Sequence, residues 1–197
     1  MKKIVLATGN DHKVEEFKDL FINGEFKVLS ANKYGGMPEV IENGKSFHSN
    51  AYLKAYALSK QLKKKHWVIA DDSGLEVDYL DGAPGIYSAR YAGAQASDMD
   101  NVDKLLTALL GISKSKRKAR FRCVLCLIDK EGGTYYFEGS CEGKIGLKAK
   151  GKSGFGYDPI FLPDGHKDSF AELGELIKMQ LSHRAKAVMA CKKFFNK

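Results

Sequence analysis

The sequence predicts an α/β protein built around a mixed, partly antiparallel β-sheet. Strand-like and helix-like segments alternate along the chain, which is typical of that class. Two long strand-like segments are joined through Gly132-Gly133, and this dipeptide indicates a hairpin, so part of the sheet should be antiparallel. Of the 197 residues, 44% are hydrophobic and 28% are charged, which is ordinary for a globular protein of one domain or of one domain with two lobes.

The first part of the chain is predicted to contain three strands and two helices. Apolar residues recur at helical spacing in Lys13–Phe21 and Ser46–Lys64, and these segments are predicted to be helices. Short apolar runs predict strands at Lys3–Ala7, Phe26–Leu29 and Trp67–Ala70.

The second part alternates in the same way. Strands are predicted at Leu75–Leu80 and in the hairpin of Ala119–Ile128 and Thr134–Ile145. Helices are predicted at Met99–Leu110 and Ala185–Phe195. Glycine and proline predict two loop-rich stretches, Asp81–Ala94 and Gly151–Gly165.

The charge balance indicates an anionic partner. The chain has 32 lysine and arginine residues against 24 aspartate and glutamate residues, a formal net charge of +8. Such a surplus favours nucleotides, nucleic acid or acidic lipid, and it does not choose among them.

The sequence also predicts a cytoplasmic protein that does not associate with membranes. No apolar run approaches the ~20 residues of a membrane-spanning helix, and Met1–Ile4 leads into a strand-like segment rather than a signal peptide. The four cysteines include a CxxC of Cys123 and Cys126 on a predicted strand, where residues three apart point to opposite faces. They are therefore predicted to be buried free thiols rather than a zinc or redox site, which agrees with a reducing compartment.

Two polar segments have the residue types of a phosphate and metal site. The first is a loop between a strand and a helix, where free N–H groups and a lysine favour an anion: Thr8, Gly9, Asn10, Asp11, His12 and Lys13. The second is Asp71-Asp72, which directly follows a predicted strand and offers the oxygen ligands that Mg²⁺ prefers. The alternatives are a plain turn for the first segment and a solvent-exposed capped turn for the second.

Three further segments are candidates for binding a nucleotide. Glu42 precedes a predicted helix on which Asn50 and Lys54 share one face, although a solvated helix face has the same pattern. The stretch Gly154–Pro159 places an aromatic ring between glycines beside a carboxylate, which suits a flat heterocycle. Ser182-His183-Arg184 opens the last helix, where cationic side chains gain nothing from the helix dipole unless they meet an acceptor.

One phosphate-binding motif is rejected. Gly146–Ser153 matches the P-loop pattern GxxxxGK[ST], which requires a helix to begin at its lysine and serine. Gly154, Gly156 and Pro159 follow at once and make a helix there implausible. The segment is instead predicted to be a basic flap.

Taken in order, these segments resemble the inosine triphosphate pyrophosphatase family, whose members are also described as XTP/dITP pyrophosphatases. The resemblance extends from Thr8 to Arg184 and rests on the segments TGNDHK, ENGKSFHSNAYLKA, ADDSGLEVDYLDGAPGIYSARYAG, GFGYDPIF, FAEL and SHRA. Tyr157 stands where some members have tryptophan, which keeps an aromatic ring.

The resemblance implies roles for the phosphate-side residues. The loop from Thr8 to Lys13 would cradle the triphosphate. Glu42 and Asp71 would hold Mg²⁺, and Asp71 would also be the general base. Lys54 and Asp72 would line the phosphate and sugar region.

It also implies roles for the residues nearer the base. Ser73 and Arg90 are further candidates in the phosphate and sugar region, and Phe155 would stack on the purine. The remaining residues would complete the base pocket, the last three reaching the base and its 6-oxo group: Gly156, Tyr157, Asp158, Lys178, His183 and Arg184.

The implied protein is a single domain, 1–197, with an elongated mixed sheet flanked by helices and two lobes around a central substrate cleft. It would be a homodimer that hydrolyses ITP, dITP and XTP to the monophosphate and pyrophosphate, with Mg²⁺ as cofactor and no nucleic-acid partner. One alternative is a related pyrophosphatase acting on dTTP or modified pyrimidine nucleotides. The other is a nucleic-acid-binding protein, because the segment from Lys114 to Arg122 is strongly basic.

Overall fold

A computed structural model describes residues 2–21, 26–63 and 66–195. The strands are β1 (Lys2–Leu6), β2 (Phe26–Ser30), β3 (Trp67–Val77), β4 (Lys118–Ile128), β5 (Thr134–Ile145) and β6 (Phe161–Pro163). The helices are α1 (Asp11–Leu20), α2 (Phe47–Gln61), α3 (Asp98–Ala108), α4 (Phe170–Leu173), α5 (Glu175–Leu181) and α6 (His183–Phe195). Short 3₁₀ turns lie at Ala31–Tyr34, Asp78–Leu80, Gly85–Arg90 and Lys114–Lys116.

All six strands belong to one sheet, in the order β2-β1-β3-β4-β5-β6. β1 lies parallel to both β2 and β3, with Ile4 opposite Val28 on one side and Trp67 on the other. β5 and β6 are antiparallel, with Lys144 opposite Leu162. The predicted α/β fold with a mixed sheet flanked by helices is thus confirmed.

The chain divides into two compact units, and β3, β4 and β5 contribute residues to both. The first unit comprises Met1–Asp72, Cys123–Glu138 and Ala187–Lys197. Its hydrophobic core includes Phe17 of α1 and Val188 of α6, which are almost completely buried. The alternation and helical spacing of apolar residues explain why these elements bury one face each.

The second unit comprises Ser73–Arg122 and Gly139–Lys186. Its core is also apolar and includes Leu105 of α3, Phe161 of β6 and Phe170 of α4, which are buried. Phe161 packs on Phe121 with ring centroids 4.6 Å apart.

Side-chain caps fix where several helices begin. Asn10 accepts a hydrogen bond from the Lys13 backbone N–H, so α1 begins two residues earlier than its apolar spacing predicts. Ser46 and Ser49 cap α2 reciprocally. The predicted helix Ser46–Lys64 is therefore confirmed from its cap to Gln61, while Lys64 lies outside the described residues.

The largest correction concerns β3. The sequence predicts two strands, Trp67–Ala70 and Leu75–Leu80, but a single strand runs through the acidic pair from Trp67 to Val77. The prediction that Asp71 and Asp72 follow the strand is wrong, because lysines of the same unit neutralise both carboxylates within the strand. Leu80, placed in a strand by alternation, lies in a 3₁₀ turn.

Three short elements were not predicted from the sequence. The stretch Gly151–Gly165, predicted to be a loop, contains β6, whose three residues are too few for a periodic signal. α4 and α5 were also not predicted, being only four and seven residues long. Within the parts of the chain that the structure describes, no helix has the length and apolar character needed to cross a membrane.

Candidate active site

A cluster of three carboxylates and two lysines lies in the first unit. We name it the carboxylate–lysine cluster, and its members are Lys13, Glu42, Lys54, Asp71 and Asp72. Lys13 at the start of α1 pairs with the fully buried carboxylate of Asp71 on β3. Lys54 Nζ of α2 lies 2.6 Å from Asp72 Oδ1 and 3.4 Å from Glu42 Oε2. The structure therefore brings together five of the side chains that the sequence proposed for phosphate and metal binding.

Burial makes this cluster electrostatically unusual. Desolvation raises the pKa of the Asp72 carboxyl, and the nearby Lys54 ammonium opposes that rise without cancelling it. Desolvation lowers the pKa of Lys54, but the charges of Asp72 and Glu42 outweigh it, so the pKa of Lys54 lies above its ordinary value. Lys54 thus stays charged beside the acids, and the solvated-face interpretation of α2 at this position is wrong.

The residues present fit a divalent cation. With all five groups ionised, three carboxylates and two ammonium groups leave one net negative charge. Asp72 Oδ2 is buried without a hydrogen-bond partner in the described part of the protein, as are both polar atoms of the Asn50 amide. No three His, Cys, Asp or Glu side chains among the described residues form a metal site by themselves. Mg²⁺ is usually held by one or two carboxylates together with substrate phosphates, and the carboxylates of this cluster supply oxygen ligands of that type.

Cys123 adjoins the cluster although it is not among the site candidates selected from the sequence, whereas Asn50 is one of them. The Cys123 thiol on β4 donates a hydrogen bond to Asp71 Oδ2 at 3.2 Å. Asn50 precedes Lys54 by one helical turn and is completely buried. The helical spacing placed Asn50 on the correct face, but only the structure shows that this face is buried.

The loop from Thr8 to Lys13 links β1 to α1. Thr8 is buried, and its hydroxyl accepts a hydrogen bond from the Asn10 backbone N–H at 3.1 Å. Gly9, Asp11 and His12 are exposed. The loop therefore leaves solvent-facing groups at the N-terminal end of α1, the arrangement that favours an anion.

A second cluster of predicted residues lies in the second unit. We name it the Phe155 cluster, and its members are Phe155, Asp158, Lys178 and Arg184. Lys178 Nζ lies 2.7 Å from Asp158 Oδ2, with both side chains almost fully buried, and 4.4 Å from the centroid of the Phe155 ring. The guanidinium carbon of Arg184 lies 5.9 Å from the same centroid. Asp158 Oδ2 also accepts a hydrogen bond from the Phe155 backbone N–H, which fixes the loop around the ring.

Buried contacts also hold Arg184 and His183 at the start of α6. Arg184 is 2% exposed, and its Nη2 donates a hydrogen bond to the Ser73 hydroxyl at 2.9 Å. His183 stacks on Phe121 with centroids 4.7 Å apart and ring planes 11° apart. The predicted residues Ser73, His183 and Arg184 are thus in place around one end of that helix.

Three other predicted residues lie elsewhere or point differently. Tyr157 is buried in the hydrophobic core, and its hydroxyl donates to the Ser88 carbonyl at 2.9 Å. The Gly156 backbone N–H donates to Asp98 of α3. Arg90 stacks on Tyr87, with its guanidinium carbon 5.3 Å from the ring centroid.

Three other sequence interpretations concern the P-loop match, the cysteines and the basic segment. No helix begins at Lys152-Ser153, so the rejection of the P-loop motif is confirmed. All four cysteines are buried and free. In the basic segment, buried Arg117 donates to three backbone carbonyls, and Arg120 pairs with three acidic side chains. These two arginines therefore serve the fold rather than a nucleic-acid surface.

Comparisons with known proteins agree with this architecture. Residues 4–194 match the model of the Ham1 family. A dITP/XTP pyrophosphatase of Opitutus terrae is 47% identical over 191 residues, covering 94% of each chain. A protein of the same name from Vibrio vulnificus is 50% identical over 190 residues, covering 95% of this chain and 94% of that one.

Solved structures give the same result. The Staphylococcus aureus Ham1 protein superposes with a TM-score of 0.87 at 40% identity, covering 99% of this chain and 98% of that one. A HAM1 protein from Coxiella burnetii gives a TM-score of 0.88 at 36% identity, covering 100% and 99%. The chain belongs to the Ham1 family.

Proposed function

We propose that this protein hydrolyses non-standard purine nucleoside triphosphates, ITP, dITP and XTP, to the monophosphate and pyrophosphate. The observation that carries the proposal is the pair of clusters built from the predicted residues. One unit has buried carboxylates and ammonium groups suited to phosphates and a metal, and the other has an aromatic ring beside buried donors. Full-length relatives that carry the name dITP/XTP pyrophosphatase support the same substrate class.

The carboxylate–lysine cluster would act on the phosphates. Asp71 and Glu42 are the residues we assign to Mg²⁺, and Mg²⁺ when bound would neutralise charge on the phosphate oxygens. Asp71 would accept the proton of the attacking water, for which its buried carboxylate is held in position by Lys13 and Cys123. Lys13 and Lys54 would stabilise negative charge that develops on the phosphates.

The Phe155 cluster would select the base. The ring of Phe155 offers a stacking surface, while Lys178 and Arg184 supply donors that suit a 6-oxo group. Adenine presents a 6-amino donor at that position, which would face these donors instead of accepting a hydrogen bond from them. Sites that depend on such hydrogen bonds can reject the wrong partner by up to ~10⁴-fold or more.

A nucleotide panel tests the reaction. Release of pyrophosphate, rather than orthophosphate, is measured from ITP, dITP, XTP, ATP, GTP and dTTP with Mg²⁺ and after its removal. We expect ITP, dITP and XTP to release pyrophosphate when Mg²⁺ is present and not after it is removed. Preference for dTTP would favour the pyrimidine alternative, and absence of any hydrolysis together with salt-sensitive binding of nucleic acid would favour the other one.

We also propose that the protein works as a homodimer in the cytoplasm. The family resemblance suggests the dimer, and four buried free thiols agree with a reducing compartment. Sedimentation equilibrium should give twice the monomer mass of 21.8 kDa if the dimer forms, and the monomer mass itself if it does not.

A further inference from the structure

A cavity of about 500 Å³ lies in the second unit and shares no residue with the two clusters described above. Half of its lining comes from the segment Lys144–Lys150, which contains most of the rejected P-loop match. The rest comes from four other short segments of the same unit. Its volume falls in the range of ~300–1,000 Å³ that is typical of sites for small molecules.

The charge around this cavity is almost entirely positive. Five lysines and one acidic residue line it, the lysines being Lys114, Lys144, Lys148, Lys150 and Lys167. Lys150 Nζ lies 3.7 Å from the carboxylate of Glu172. Within the described ranges, the other four lysines make no ion pair or side-chain hydrogen bond. Lysines gathered around one cavity repel one another, and a bound polyvalent anion would relieve that repulsion.

The lining between the lysines is apolar. Ile145, Leu147, Pro159 and Leu162 belong to the lining, and Leu147 is 56% exposed. A bare inorganic anion would leave these side chains in contact with water, and a neutral apolar molecule would leave the lysines unneutralised. The combination suits an organic phosphate with an apolar or aromatic group.

Hydrogen bonds hold the backbone of the cavity in place. The Gly146 N–H donates to the Ile160 carbonyl at 2.7 Å, and the Lys150 N–H donates to the Pro159 carbonyl at 2.9 Å. Buried Arg117 donates to the Gly146 carbonyl at 2.9 Å. The lining is therefore preorganised, which reduces the entropy that a ligand must overcome on binding.

We propose that this cavity binds a small organic phosphate with at least two negative charges and an apolar or aromatic group. Pro159 directly follows Asp158 of the Phe155 cluster, so a ligand here would contact the loop that carries that cluster. The proposal concerns binding at the cavity and does not depend on the reaction proposed above.

Site-resolved acylation of lysines tests the proposal. The probe is α,β-methylene-ATP, whose α–β bond is not hydrolysed, and the extent of acylation is read at each lysine by mass spectrometry. At a concentration of about ten times the dissociation constant, occupancy reaches ~90% and acylation at Lys144 and Lys148 should fall roughly tenfold. The exposed lysines Lys33 and Lys130 should be unaffected. Unchanged acylation at Lys144 and Lys148, or equal protection of Lys33 and Lys130, would overturn the proposal.

Two further arms separate the contributions. Inorganic tripolyphosphate should give half-protection only at a concentration at least ~10-fold higher than that of α,β-methylene-ATP, because it cannot contact the apolar lining. Equal potency of the two compounds would refute the organic part of the ligand. The double variant Lys144→Gln/Lys148→Gln should lose protection at Lys167, while Lys33→Gln/Lys130→Gln, with the same net charge, should keep it. Equal loss in both variants would mean that only the overall charge attracts the probe, and it would overturn the site. Protection at Lys13 reports the proposed active site separately.

Discussion

Replacing Lys178 with methionine should destabilise the protein strongly, because it leaves the Asp158 carboxylate buried without its ammonium partner. The two side chains are 4% and 3% exposed, and their charged atoms lie 2.7 Å apart. Removing one partner of such a buried pair costs about 3–5 kcal/mol. For a chain of this length, about 1 kcal/mol corresponds to ~2–4 °C, so the melting temperature should fall by roughly 6–20 °C.

The assay is urea or thermal unfolding with Lys150→Met as the matched control. Lys150 also pairs with a carboxylate, but at 3.7 Å and with half of its side chain exposed, so its loss should cost no more than ~1 kcal/mol. The double variant Lys178→Met/Asp158→Asn should be less destabilised than the sum of the single variants by about 1–3 kcal/mol, because no unpaired charge remains. If Lys178→Met costs no more than Lys150→Met, the pair is not energetically buried and the reasoning fails.

Three further results are expected. Asp71→Asn should stay folded, but its hydrolysis rate should fall by more than the ~10²–10⁴-fold typical of losing a general base, because the variant also lacks a proposed metal ligand. A folded variant that keeps a tenth of the wild-type rate would contradict the role. Phe155→Ala should raise KM for ITP by the loss of ~1–3 kcal/mol of stacking, whereas unchanged KM with a large fall in melting temperature would make the ring part of the core. Burial raises the pKa of the Cys126 and Cys191 thiols to about 12 and that of the Cys141 thiol to about 11. Almost no thiolate therefore exists at about pH 8, and Ellman's reagent should label none of these three cysteines before the protein unfolds. Rapid labelling of the native protein would refute their burial.

The sequence allowed the fold class and the presence of most long elements to be predicted because those features depend on local periodicity. α2 shows this well, since its apolar spacing and its serine cap are both visible in the sequence. β3 shows the limit, because two acidic residues within a strand signal an interruption unless the lysines that neutralise them are known. Those lysines lie 58 and 18 residues away, and no local pattern reveals such pairs.

In the candidate site as well, local residue types could be predicted from the sequence, but the direction of side chains and contacts between distant residues could not. The residue types of the Phe155 loop and of the start of α6 indicated a nucleotide base, and the structure brings Phe155 and Arg184 into one cluster. The Tyr157 side chain is buried in the core, and neither its identity nor its spacing indicates that burial. The hydrogen bond from Cys123 to Asp71 is likewise a consequence of the pairing of neighbouring strands.

The central claim is that the Phe155 cluster selects a purine with a 6-oxo group, and the effect of Arg184→Ala on selectivity tests it most directly. The measurement is kcat/KM for ITP and for ATP, both with Mg²⁺, in the wild-type protein and in Arg184→Ala, with circular dichroism and Arg184→Lys as controls for folding. If ATP leaves a buried donor unsatisfied at ~1–3 kcal/mol, the ITP/ATP ratio should shrink by about 5- to 150-fold in the variant. An unchanged ratio, with equal losses on both nucleotides, would place Arg184 on the phosphates and contradict the account.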